Sequence, residues 1–147
     1  MKQENQSLSI SLVSELLMAD QLLRLRLTKA LPKGMELSHF SVLNHLAYVG
    51  EERTPAQLAR LFHVTRGAMT NTLNRLDVAG YIHISPDWND ARRKLIAITP
   101  AGRKAREFAL ATVIPDLASI LSTVGEERIR TALPVLREIR QTLEKTD

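Results

Sequence analysis

The chain has 147 residues, 44% hydrophobic, 24% charged and 4% aromatic, which makes one domain-sized core and excludes disorder and base-stacking platforms for single strands. Zero Cys excludes disulfides, thiolate metal sites, cysteine nucleophiles and thiol redox sensing. The net charge of +4 sits in the middle third: seven basic residues against three acids lie between Arg53 and Lys94, while the rest balances at 13 of each, the footprint of a polyanionic partner.

Met1-Lys2-Gln3-Glu4-Asn5-Gln6 lacks the apolar core of a signal peptide. No apolar run is read as approaching the ~18 residues of a membrane helix. The expectation is a cytoplasmic protein with no membrane partner. Ser9 to Ala30 reads as a helix, with Leu12, Leu16, Ala19, Leu23, Leu27 and Ala30 at helical spacing. Val13, Leu17 and Leu22 widen its apolar surface, so it needs more than one neighbour. Leu31-Pro32-Lys33-Gly34 breaks it. A second helix fits Ser38 to Val49, with Ser38 as N-cap and Gly50 at its end. Thr54-Pro55-Ala56-Gln57 is a capping box with proline at the first helical position, opening a short helix to Phe62. After the tight connection His63-Val64, Thr65 caps a helix to about Ala79, with Gly80 beyond it. Its inward stripe is Met69, Leu73 and Leu76.

The period then changes. Tyr81 to Ser85 alternates apolar and polar, and Lys94 to Thr99 does so less cleanly. With Pro86-Asp87-Trp88-Asn89-Asp90 between them, this reads as a β-hairpin with a long loop. Thr99-Pro100 opens a helix to about Val124 that Pro115 should kink or interrupt. Gly125 separates a last helix, Glu126 to about Lys145, with a stripe of Ala132, Leu136, Ile139 and Leu143 and an internal Pro134 that implies a kink.

Three helices followed by a two-stranded hairpin is the order of a winged helix-turn-helix, whose third helix enters the major groove of DNA. The predicted fold class is therefore mainly α with a small β-hairpin wing. At ~100° per residue, Gly67, Asn71, Asn74 and Val78 lie opposite the inward stripe, flanked by Arg66, Ala68, Thr70 and Arg75. Asn pairs with adenine, Arg with guanine or phosphate, and Thr with a base edge or phosphate. Small Gly67 and Ala68 let the helix N-terminus approach a duplex closely. Ser38, His39 and Thr54, at other helix starts, are candidates for the DNA backbone.

The sequence resembles the MarR family (multiple antibiotic resistance type) of winged-helix regulators over about Leu37 to Arg106. The matching stretches are Leu37-Ser38-His39-Phe40-Ser41-Val42-Leu43, Thr54-Pro55-Ala56-Gln57-Leu58-Ala59, Val64-Thr65-Arg66-Gly67-Ala68-Met69-Thr70 and Leu76-Asp77-Val78-Ala79-Gly80-Tyr81-Ile82. Asp90-Ala91-Arg92-Arg93 and Ile98-Thr99-Pro100-Ala101-Gly102 correspond to the family's D-x-R wing and L-T-x-x-G helix start. The chain departs from the pattern at Asn71, where a basic residue is common, and at Gly67, where Pro is common. Base preferences are therefore not carried over.

The resemblance implies one domain with dimerisation helices at about 7–33 and 105–147 and a DNA-binding lobe at about 37–104. It implies a homodimeric repressor-type regulator on a pseudo-palindrome of double-stranded DNA. Arg92 should reach the minor groove or its phosphates, held by Asp90. Arg93 and Lys94 should add diffuse phosphate attraction. Many members bind a small effector between the dimer base and the DNA-binding lobe, for which Met18, Arg24, His39 and Tyr48 are conceivable walls.

No metal site or cofactor is expected. His39 and His45 stand six apart, ~240° around one helix, and no Cys assists. No G-x-S-x-G, G-x-x-x-x-G-K-[ST] or H-E-x-x-H occurs, so the reading is not an enzyme. The alternative is a winged-helix protein–protein interaction module without DNA binding.

Overall fold

The computed structural model describes residues 2–145. The elements in order are α1 (Lys2–Ala30), α2 (Leu37–Val49), α3 (Pro55–Leu61), α4 (Arg66–Val78), β1 (Ile82–Asp87), β2 (Asp90–Ile98), α5 (Pro100–Val124) and α6 (Glu126–Glu144). The chain forms two compact units, one ending at Thr112 and the other beginning at Val113.

The core of the first unit joins α2, α3, α4 and the hairpin. Val42, Leu43 and Leu46 of α2 meet Leu58 and Ala59 of α3, Met69, Leu73 and Leu76 of α4, and Ile82 and Ile96 of the two strands. The stripe expected on α4 is therefore the face that is buried. At ~1.5–3 kcal/mol per fully buried side chain, this cluster holds α4 at one rotation and leaves its opposite face to solvent.

Local signals set most boundaries. The Thr54 hydroxyl accepts the Gln57 N–H at 3.1 Å, and the Gln57 side chain accepts the Thr54 N–H at 2.9 Å. Thr65 caps α4 by accepting the Ala68 N–H at 3.1 Å. The turn between α3 and α4 places His63 at φ 52 and is closed by the Val64 N–H donating to the Ala59 carbonyl at 3.0 Å. At the far end of α4, Tyr81 N–H donates to Leu76 O and Gly80 N–H to Asp77 O. This is a Schellman closure with Gly80 at φ 78. It turns the chain directly into β1.

Four expectations are corrected. The N-cap of α2 is Glu36, not Ser38: the Glu36 side chain accepts the His39 backbone N–H, and His39 Nδ1 accepts the Glu36 N–H at 3.2 Å. Ser38 is instead an exposed residue of the first turn. The strands extend beyond the expected bounds to Asp87 and Asp90, with Trp88-Asn89 as the turn, but the register breaks between Pro86, which pairs with Lys94, and Asp87, which pairs with Asp90, so Ala91, Arg92 and Arg93 bulge out of the ladder. The hairpin also gains a third, minimal partner, because Arg53 and Ile96 exchange backbone hydrogen bonds of 3.0 and 2.7 Å. α5 is continuous through Pro115, which therefore does not interrupt it, and α6 is continuous through Pro134, each proline leaving one backbone N–H out of its helix. Lastly, α5 is long and apolar enough, by length and composition, to cross a membrane, the one such helix among the described residues. The interspersed Ala, Ser and Thr, with Glu107 and Asp116, had hidden that run.

α1 begins seven residues earlier than Ser9 and contributes no buried residue. Leu16, Leu27 and Ala30 are half-buried, whereas Leu8, Leu12, Val13, Leu17 and Leu22 face solvent. In α6, Leu133, Val135, Leu136 and Leu143 are likewise exposed.

Candidate nucleic-acid interface

Three elements converge on one basic cleft of about 570 Å³: the start of α3 (Thr54, Pro55, Ala56, Gln57, Arg60), the first turns of α4 (Arg66, Thr70) and the proximal wing (Arg92, Arg93, Lys94). Five cations and no acid line it. Among the described residues, no ion pair engages Arg60, Arg66 or Lys94. The first-turn N–H groups of α4 add partial positive charge at the same place. These three cations, Arg60, Arg66 and Lys94, can attract phosphates without the cost of breaking internal pairs.

The structure brings Thr54, Arg66, Thr70, Arg92, Arg93 and Lys94 together here. Thr65, Gly67, Ala68, Asn71, Asn74 and Arg75 are all exposed along α4. Nothing lies within 4 Å of a Cβ placed on Gly67, so that part of the helix is open to close approach. Arg75 leans toward α2, where its guanidinium lies 3.6 Å from Glu36. Sequence reasoning missed Arg60 and Gln57 as members of this surface. No local signal marked them: Arg60 lies in the short helix α3, and only the fold brings it beside the wing.

Asp90 does what was expected of it only loosely. Its Oδ1 accepts the backbone N–H of Arg92 at 3.0 Å. Its carboxylate then stands 3.8 Å from the Arg92 guanidinium and 3.7 Å from that of Arg93. The Arg92 side chain remains 95% exposed. Asp90 therefore fixes the backbone at the root of Arg92 and leaves the guanidinium free to reach outward.

His39 is corrected as a backbone contact. It is buried, and its Nδ1 is committed to the α2 capping box. Burial lowers its pKa, the Glu36 carboxylate opposes that, and Arg75 adds to it. A neutral ring facing inward offers no cation to phosphate. His45 is also lowered, by burial and then by Arg53, and meets Phe62 edge-on at 5.9 Å.

The four residues suggested as effector walls do not converge. Arg24 lines a cavity of about 600 Å³ among α1, α2 and α4, together with Ser38, Ala68 and Asn71. His39 lines a different cavity of about 460 Å³, with Asn74 and Arg75. Met18 and Tyr48 line neither and are exposed, Tyr48 by 87%. Helix rotation sends these side chains in different directions. Among the described residues, no group of three or more His, Asp or Glu is placed to hold a metal ion.

A helix-turn-helix whose exposed second helix adjoins a two-stranded wing is a winged helix-turn-helix, and that is the class of this protein. The MarR family's sequence profile matches residues 33–93, the stretch that runs from just before α2 into β2. A mutant of MarR from E. coli complexed with operator DNA superposes with a TM-score of 0.78 at 26% identity, over 88% of this chain and 94% of that one. A MarR-family regulator from Rhodococcus sp. gives 0.78 at 21% identity, over 95% and 96%. The PcaV regulator from Streptomyces coelicolor, in complex with its natural ligand, gives 0.74 at 15%, over 84% and 87%. The last two speak for the fold alone. No curated protein matches the chain.

Proposed function

We propose that this chain is a cytoplasmic transcriptional regulator, a repressor in type, that binds double-stranded DNA as a homodimer on a pseudo-palindromic operator. The observation that carries the reading is the cleft with five cations and no acid between α3, α4 and the wing. Phosphates occupy that cleft, and the exposed Thr70, Asn71 and Asn74 face base edges in the major groove. The operator complex of the E. coli relative supports the same reading.

Dimerisation rests on apolar surface left without a partner. α1 has no buried residue, and α6 exposes several large apolar side chains. Exposed apolar area of this extent marks a protein interface. A second copy covers it, with dimerisation helices at about 7–33 and 105–147 flanking a DNA-binding lobe at about 37–104, and two recognition helices about one DNA turn apart, ~34–36 Å. A small effector acts from the cavity among α1, α2 and α4, whose wall includes Ala68 and Asn71 of the recognition helix. Occupancy there biases the position of α4 against its DNA-binding arrangement.

The test is fluorescence anisotropy of a labelled duplex taken from the DNA flanking its own gene, against a scrambled duplex, at several salt concentrations. Binding that is tighter on the flanking duplex, with log affinity falling linearly in log salt, supports the reading. Equal affinity for both duplexes refutes sequence specificity, and no binding to either refutes the function.

A further inference from the structure

The wing ends on the only tryptophan of the chain. Trp88 takes the first place of the two-residue turn between the paired Asp87 and Asp90, and 92% of it is exposed. An indole carries a large apolar surface that normally finds cover. Two side-chain-to-backbone hydrogen bonds close the tip that presents it. Asp87 Oδ1 accepts the Asn89 N–H at 2.9 Å, and Asp90 Oδ1 accepts the Arg92 N–H at 3.0 Å. Both tip carboxylates are thus turned onto their own backbone, and that of Asp90 also stands 3.8 Å from the Arg92 guanidinium and 3.7 Å from that of Arg93. Immediately behind them on β2 stand Arg92, Arg93 and Lys94, all exposed.

We propose that Trp88 enters the minor groove at the edge of the bound site and makes an apolar contact with deoxyribose faces and base edges. The proposal rests on the DNA-binding reading above. Charge complementarity selects the occupant: three cations on the same ribbon take the phosphate rims, and the indole ahead of them fills the groove between. Because the tip is already ordered by its own hydrogen bonds, little entropy is lost on docking. The contact responds to groove width, so it favours narrow A·T-rich flanks.

A single tryptophan makes the full-length protein its own reporter. The probes are duplexes of about 30 base pairs carrying the sequence upstream of its own gene, with either A·T-rich or G·C-rich flanks. Binding is followed by anisotropy of the labelled duplex, and the indole by emission and acrylamide quenching. The expected result is a changed emission and severalfold lower quenching over the same concentrations that raise anisotropy. Trp88→Ala lowers affinity about tenfold on A·T-rich flanks, a loss of ~1.4 kcal/mol, and leaves the salt slope unchanged because no phosphate contact is lost. Trp88→Phe keeps part of the affinity. Binding with unaltered indole emission and quenching overturns the proposal and leaves the DNA-binding reading standing. So does a Trp88→Ala variant with full affinity or a reduced salt slope. No anisotropy change with any duplex refutes the DNA-binding reading itself, and this proposal with it. Protection of the indole by phosphatidylglycerol vesicles but not by duplex overturns it in favour of a lipid surface.

Discussion

Gly102 is buried in the first turn of α5. A Cβ added there would lie 2.0 Å from the Tyr81 carbonyl oxygen, and 2.9 Å from both the Tyr81 carbonyl carbon and Ile98 Cγ1. Two of these three atoms are backbone and cannot rotate aside. In Gly102→Ala, α5 must therefore retreat from the corner between α4 and β1. That corner is fastened by the Thr99 N–H donating to Tyr81 O at 3.0 Å and the Thr99 hydroxyl donating to Gly80 O at 2.7 Å. Forced overpacking costs about 1–3 kcal/mol, and each strained hydrogen bond about 1 kcal/mol. The better helix propensity of alanine returns about 1 kcal/mol. The net expectation is a loss of about 2–4 kcal/mol. Gly67→Ala supplies the control: nothing lies within 4 Å of its added Cβ, so it should stabilise by up to about 1 kcal/mol. Urea unfolding of both variants, followed by circular dichroism with the m-value checked for constancy, measures the difference. A Gly102→Ala midpoint at or above that of the unsubstituted protein would falsify the reasoning, because the close approach could not then be real.

Arg92→Ala should weaken binding to all duplexes and lower the salt slope by about one unit per lost phosphate contact; unchanged affinity removes the wing from the mechanism. Asn71→Ala and Asn74→Ala should each relax base preference at particular operator positions by about 1–3 kcal/mol, measured with a panel of single-base operator variants. A uniform loss across the panel contradicts direct readout. Thr65→Ala removes the side-chain cap of α4 and should cost about 1 kcal/mol in urea unfolding; no change would mean that the cap does not limit this helix. Burial holds the pKa of His39 and His45 below histidine's ordinary value of about 6.5. The unfolded chain therefore binds more protons in the window just below that value. Stability should be full above about pH 6.5 and fall as pH drops through the lowered folded values. His39→Gln should flatten that decline, and an identical pH profile in the variant excludes His39 as a contributor.

Local chemistry made much of the lobe legible from the sequence alone. Thr54 with Gln57, Thr65, Gly50 and Gly80 mark helix ends because a cap satisfies N–H or C=O groups within a few residues of itself. The stripe Met69, Leu73 and Leu76 sets the rotation of α4, and hence which residues face outward, since one helical period decides both. The wing was only half legible. Asp90-Ala91-Arg92-Arg93-Lys94 extends β2 beyond the core, so no apolar alternation exists there to reveal a strand. Ser38 lost the cap to Glu36, because the reciprocal bond to His39 satisfies two backbone donors where a lone serine satisfies one.

Tertiary structure alone decided which distant residues share a surface. Arg60 meets Arg92 and Lys94 only because the hairpin folds back beside the start of α3. Met18, Arg24, His39 and Tyr48 were grouped as residues of the first two helices, yet the burial of one helix face sends His39 inward and Tyr48 outward. Sequence fixes what each short segment can satisfy by itself. Where two segments meet depends on how the whole apolar surface is shared out, and no local pattern encodes that.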